Sequence, residues 1–143
     1  MIWRDHEFIC MVVGGPNSRT DYHINQGEEF FHQIEGDMVL KIIEQNVPVD
    51  ISIREGDIFL LPPGVPHSPR RPAGSVGLVI ERERRLGEKD SFLWLCESCG
   101  HKLYEESIEL KNIEIDLPPV FNRFYSDVKN TSCQKCGRAH AKN

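Results

Sequence analysis

The stretch Gly56-Asp-Ile-Phe-Leu-Leu-Pro-Pro-Gly-Val-Pro-His67, GDIFLLPPGVPH, leaves a glycine, runs through an apolar tetrad and ends in a Pro/Gly turn that delivers a histidine. Glycine and proline punctuate the chain on both sides of a short apolar run, the signature of a strand between tight turns. Outward from it, β-branched or aromatic runs recur between Gly, Pro and Asn breaks: FICMVVG, EEFFHQI, MVLKII and VDISI before it, VGLVIERE and FLWLC after it. Strands at this spacing predict an all-β sandwich or barrel. VDISI alternates, with Val49, Ile51 and Ile53 on one face and Asp50 and Ser52 on the other, as a half-buried strand requires.

With 143 residues, 39% of them hydrophobic, the chain is long enough for one main core. A net charge of −5 gives no basic field to draw nucleic acid or anionic lipid, so a small molecule or a protein is the expected partner. No apolar run approaches the roughly 18 residues of a membrane span. Arg4, Asp5 and Glu7 occupy the place of a signal peptide's apolar stretch, so a soluble, cytoplasmic protein is expected.

After about residue 87 the character changes. Cys96/Cys99 and Cys133/Cys136 form two Cys-x-x-Cys pairs around a charged middle, KLYEESIELKNIEIDLPPVFNRFYSDVKN. Each pair brings two thiolates to one tetrahedral ion, and two pairs complete a closed S₄ site for zinc or iron. Gly100 and Gly137 follow the pairs and suit tight knuckles whose amides point at sulfur. Four sulfurs leave no open position, so this site should staple the tail rather than turn over substrate. Cys10, in an apolar strand, is expected to pack as a small hydrophobe. Leu117-Pro-Pro-Val120 is expected to break any helix there, while Val120, Phe121 and Phe124 could form the apolar face of one turn.

A second constellation lies at the strand ends. His67 closes GDIFLLPPGVPH, and RTDYHINQGEEFF supplies His23 and a pair of glutamates. Two imidazoles and one carboxylate on one face of a ferrous ion leave positions for substrate and oxygen. Side chains alternate along a strand, so if the strand runs unbroken through Asn25-Gln-Gly27 rather than looping there, His23 and Glu29, an even number of positions apart, share a face; this favours Glu29 as ligand and Glu28 as a solvated neighbour. The other histidines, His6, His32, His101 and His140, are read as surface or locally bonded residues. Among arginines near the turn, Arg70 is read as a solvated surface charge. Arg19 and Arg71 stand where a guanidinium could grip a substrate carboxylate. Glu81, ending VGLVIE, either faces the same interior or forms a salt bridge at its rim.

Together GGPNSRTDYH, EEFF, EGDIFLLPPGVPHSPRRP and LVIERERR resemble 3-hydroxyanthranilate 3,4-dioxygenases, enzymes of the cupin fold, over nearly the whole chain. Gly56, Pro62, Gly64 and His67 meet the second cupin motif, Gly-x5-Pro-x-Gly-x2-His, in full. The first is met in part, because Asp21 stands where many cupins have a further histidine. The resemblance implies a cupin barrel (a double-stranded β-helix, or jelly roll) over residues 1–90 and a small metal-binding appendage over 91–143. It implies that His23, Glu29 and His67 hold catalytic Fe(II), that Arg71 and Glu81 bind the substrate's carboxyl end, and that Arg19 lies beside oxygen.

By the same resemblance Cys96, Cys99, Cys133 and Cys136 match a rubredoxin-like iron site, and the protein forms a homodimer. The implied reaction opens the ring of 3-hydroxyanthranilate with both atoms of O₂, giving 2-amino-3-carboxymuconate semialdehyde on the kynurenine route to quinolinate and NAD. Family members carry an N-terminal lead-in that helps cover the pocket and pack the dimer, and here only residues 1–7 precede FICMVVGG, so either a truncated start or an altered lid is expected. Two alternatives stay open: a cupin dioxygenase for another substrate, and a non-catalytic ligand-binding cupin.

Overall fold

The computed structural model describes residues 7–140. The short lead-in and His6 fall on residues outside that range. The first strand, β1 (Phe8–Gly14), is followed by β2 (Tyr22–Ile24), β3 (Glu29–Glu35), β4 (Met38–Glu44) and β5 (Val47–Ile53). Then come β6 (Ile58–Leu61), β7 (His67–Arg70), β8 (Val76–Arg82), β9 (Asp90–Leu95) and β10 (Lys102–Ile108), and finally helices α1 (Ile113–Ser126) and α2 (Val128–Thr131). Every expected apolar run is a strand.

The strands form two antiparallel sheets, a four-stranded one in the order β1-β8-β3-β6 and a six-stranded one in the order β10-β9-β2-β7-β4-β5. The chain crosses repeatedly from one sheet to the other, which wraps both around one interior as a jelly roll. Period-two burial follows from this. In β4, Met38, Leu40 and Ile42 are buried, and in β5 Val49, Ile51 and Ile53 point inward while Asp50 and Ser52 are exposed. With Phe31, Leu61 and Val79 from the facing sheet they make the barrel core. The β4–β5 hairpin turns through Gln45 and Asn46, both at positive φ, the geometry of a tight two-residue hairpin.

The chain does not leave the barrel at residue 90. Asp90 is the first residue of β9, which pairs with β2, and β10 extends the same sheet. Beyond them α1 packs Leu117, Val120 and Phe124 onto Phe92 and Trp94 of β9. The Trp94 and Phe124 rings stack with centroids 4.4 Å apart. Burying side chains of this size contributes roughly 1.5–3 kcal/mol each.

The expected break at Leu117-Pro-Pro-Val120 does not occur, because α1 runs through Pro118 and Pro119. Both prolines sit on its exposed face, as do Glu114 and Ile115, whose carbonyls would otherwise accept from those two positions, so no buried acceptor is stranded. The start is capped twice over. The Asn112 side chain accepts from the Glu114 N–H at 2.9 Å, and Asp116 accepts from the amides of Lys111 and Asn112 at 2.9 and 2.8 Å. Caps and apolar packing outweigh the helix-breaking of the proline pair. Among the described residues, no helix is long and apolar enough to cross a membrane.

Candidate active site and sulfur site

His23 in β2 and His67 in β7 sit directly opposite each other in the register of the six-stranded sheet. Glu29 in β3 and Glu81 in β8 do the same in the four-stranded sheet. The two sheets face each other, so both pairs point into one interior. β2 ends at Ile24 and the chain changes sheet before Glu29, so the even spacing from His23 does not place Glu29; the alternation of β3 does, with Glu29, Phe31 and Gln33 buried, while Glu28 is exposed before the strand begins.

One donor atom from each of His23, Glu29 and His67 lies within 4.8 Å of the others. Ligands on one face of a first-row ion, each about 2.1 Å from it, are roughly 3 Å apart, the spacing already present between His67 and Glu29 at 2.9 Å. His67 is prepared for such a role: its Nδ1 lies 3.0 Å from the Val65 carbonyl, which fixes the proton there and leaves the Nε2 lone pair facing inward. Nε2 approaches Glu29 Oε2 at 2.9 Å, yet this buried oxygen has no partner in hydrogen-bond geometry. Two inward-facing atoms that approach without bonding well are what a shared cation would satisfy.

Burial works against charge on both groups. Their mutual attraction outweighs it, so the Glu29 carboxyl is held below its ordinary range and the His67 imidazole above its own. Asp21, at the position of the missing fourth ligand, is buried and taken by Arg19, whose Nε and Nη2 donate to it at 3.1 and 2.6 Å.

Arg19, His23, Glu29, His67, Arg71 and Glu81 all line one cavity of about 260 Å³. Arg71 is buried, which lowers its guanidinium pKa, and its Nη1 donates to Gln33 Oε1 at 2.9 Å. Gly77 makes room for it, since a Cβ there would lie 2.6 Å from Arg71 Nη1. Glu81 faces the interior rather than the rim; burial first, and Glu29 across the strand pair, raise its carboxyl pKa against the pull of Arg84.

Arg70 departs from expectation. It is half-buried and donates to the carbonyls of Arg19 and Thr20, so it ties down the segment that carries Arg19. His32 is half-buried in β3 and His101 is exposed. His140 is bonded far from its own place in sequence, with Nε2 3.0 Å from Thr20 Oγ1.

Two functional neighbours escaped the sequence reading. Asp90 lies 2.6 Å from His23 Nε2 and accepts from Arg84 Nη2, also at 2.6 Å, while Arg84 Nη2 donates to Glu81 at 2.9 Å. Burial resists ionisation of Asp90, and the bonds from His23 and Arg84 hold its pKa below the ordinary value all the same. The available signal was an aspartate opening the apolar run SFLWLC, since a charged residue at the mouth of a core strand needs a partner.

The four cysteines also converge. Sγ atoms of Cys96 and Cys136, and of Cys99 and Cys133, are each 3.6 Å apart. A tetrahedron of sulfurs about 2.3 Å from an ion has edges near 3.8 Å, and a disulfide is far shorter, so the geometry fits a cation. The two knuckles repeat each other: Gly100 N–H donates to the Cys96 carbonyl and Gly137 N–H to the Cys133 carbonyl, both at 2.8 Å, with each glycine at positive φ. The amides of Ser98 and Cys99 aim at the Cys96 sulfur and pull its thiol down to about 6. Cys10 lies outside this group, half-buried in β1.

The family model for 3-hydroxyanthranilic acid dioxygenase matches residues 1–125. A protein of Xanthomonas euvesicatoria pv. vesicatoria named 3-hydroxyanthranilate 3,4-dioxygenase is 59% identical over 133 residues, 93% of this chain and 76% of that one. One of the same name from Paraburkholderia phytofirmans is 50% identical over 140 residues, 97% of this chain and 80% of its own. Among solved structures, protein NMB1881 from Neisseria meningitidis aligns with a TM-score of 0.49 at 23% identity, over 57% of this chain and 80% of that one. An RmlC-like cupin from Shewanella frigidimarina aligns with a TM-score of 0.46 at 19% identity, over 58% and 72%.

Proposed function

The chain belongs to the 3-hydroxyanthranilic acid dioxygenase family, and on that premise we propose that it converts 3-hydroxyanthranilate and O₂ to 2-amino-3-carboxymuconate semialdehyde. The observation that carries the reading is the convergence of His23, Glu29 and His67 in a cavity that Arg71 and Glu81 also line. A volume of about 260 Å³ lies at the small end of ligand pockets and suits a single substituted ring.

His23, Glu29 and His67 are the proposed ligands of Fe(II), which supplies open positions for substrate and oxygen together with redox chemistry. Arg71 takes the substrate carboxylate, its guanidinium held in place by Gln33. Glu81 faces the same space and accepts from Arg84 Nη2 at 2.9 Å, which fixes its carboxyl beside the position proposed for the substrate's carboxyl end. Arg19 stands at the exposed side of the cavity as the cation nearest the incoming oxygen. Apolar walls from Met11, Val13, Phe92 and Leu117 exclude water and flank the flat ring. Both oxygen atoms of O₂ end in the product, so no external reductant is required.

The four-cysteine site would hold iron or zinc and bind the knuckles together. Homodimerisation belongs to the same reading. The outer side of the four-stranded sheet exposes Phe8, Val12, Ile58 and Leu60, an apolar surface suited to a second copy. Unpaired cysteines throughout suit a reducing cytoplasm.

The test is to load the full chain with Fe(II) without air, then admit oxygen and 3-hydroxyanthranilate and follow absorbance. A transient from the semialdehyde is expected. A folded, iron-loaded protein that gives none would overturn the assignment.

A further inference from the structure

His140 connects the sulfur site to the rim of the cavity. The turn that carries Cys133 and Cys136 is closed at its base by a β-bridge between Ser132 and Ala139 and by the Cys133 N–H donating to the Arg138 carbonyl at 2.9 Å. The next amide, His140 N–H, donates to the Thr131 carbonyl at 2.7 Å. The imidazole then packs edge-on to Phe124, centroids 5.2 Å apart, with Nε2 3.0 Å from Thr20 Oγ1.

Thr20 stands between Arg19 and Asp21. The Arg19 guanidinium bonds Asp21 and lies over the Phe121 ring, 5.0 Å from its centroid. The segment is therefore gripped from the barrel by Arg70 and from the tail by His140. Without a cation, the turn is held by that bridge, by its own backbone hydrogen bonds and by Arg138 Nη1 donating to Ser98 Oγ on the other knuckle, a small set of contacts that opens locally. Cross-linked through a cation to the Cys96–Cys99 knuckle, which continues from β9, it becomes part of the barrel frame.

We propose that the four-cysteine site acts as an anchor which, through the His140–Thr20 hydrogen bond, sets the position of Arg19 at the cavity rim. His140 and Thr20 are then positioning residues for Arg19, and the proposal rests on the reading of Arg19 as a cavity group.

Hydrogen exchange by mass spectrometry on the full chain, with both metal sites loaded, tests it through the peptide covering residues 17–22. Cys136→Ser, His140→Phe and Thr20→Val should each speed exchange there by about tenfold. His140→Phe should leave the metal content of the sulfur site unchanged, and amides of β3 and β8 should stay protected in every variant. The double variant Cys136→Ser/His140→Phe should exchange no faster at 17–22 than either single variant, because both cut one linkage. Exchange at 17–22 that is unchanged in His140→Phe and Thr20→Val, or accelerations that add in the double variant, would overturn the proposal. His140→Phe and Thr20→Val leave the cysteines intact, so the test survives a Cys136→Ser chain that fails to fold. Exchange is read without turnover. Absent ring cleavage would therefore sink the functional reading alone.

Discussion

Asp90 serves two partners at once, His23 and Arg84, each at 2.6 Å, and Arg84 in turn holds Glu81. Asp90→Asn keeps the shape and removes the charge, so the His23 ring loses its orienting acceptor. Affinity for a divalent ion at the His23–Glu29–His67 site should fall 10- to 100-fold, read by titration of the metal-free protein. Gly77→Ala probes the cavity from the other side: the added methyl meets Arg71 Nη1 at 2.6 Å and displaces the guanidinium. KM for 3-hydroxyanthranilate should rise, by the roughly 1.5–3 kcal/mol of a bond to a charged group, with kcat changed less. His67 was legible because the Pro-x-Gly turn is local; the parity from His23 to Glu29 reached the buried glutamate although the chain changes sheet between them. Asp90 was not legible, since His23 reaches it only through the pairing of β9 with β2, and Arg84 only by the fold of the loop between β8 and β9.

The proline pair of α1 is the element most at odds with local propensity. Pro119→Ala should restore an intrahelical bond on an exposed face and stabilise the protein by about 1–2 kcal/mol in urea titration, less what the unfolded chain regains in freedom. Part of the helix face was visible in sequence as Val120, Phe121 and Phe124, whereas the start at Asn112 went unread. What sequence could not weigh was the β9 surface of Phe92 and Trp94 that receives them.

The loop between β8 and β9 makes a second test. There Arg82 bridges Glu88 at 2.7 Å through both nitrogens and also donates to the Gln26 carbonyl, which ties the loop to the approach to β3. The bond from Arg82, with the Arg85 amide, holds the Glu88 carboxyl at about 2. Its contribution is present above the unfolded value of about 4.3 and is lost as pH falls toward 2. Glu88→Gln should flatten the dependence of the urea midpoint on pH between 5 and 3.

At the scale of the molecule there are two cores. One, around Phe31, Leu40 and Leu61, fills the barrel; the other, around Trp94 and Phe124, joins the tail to it beside Cys96. Stripping the sulfur site of metal should therefore abolish the near-ultraviolet dichroism of Trp94 while the far-ultraviolet β signal persists. Simultaneous loss of both would show one cooperative unit. The longer apolar strands were readable from turn residues and alternation, but β2, β7 and β10, short or charged, were not, and the allotment of strands between two sheets depends on long-range pairing.

One consequence of that pairing concerns quality control. His23 and His67 face each other through the single paired position of β2 and β7. A slip by one residue would turn one imidazole outward. A misaligned barrel could then not bring the proposed ligands to one cation, so metal binding reports the register of the fold.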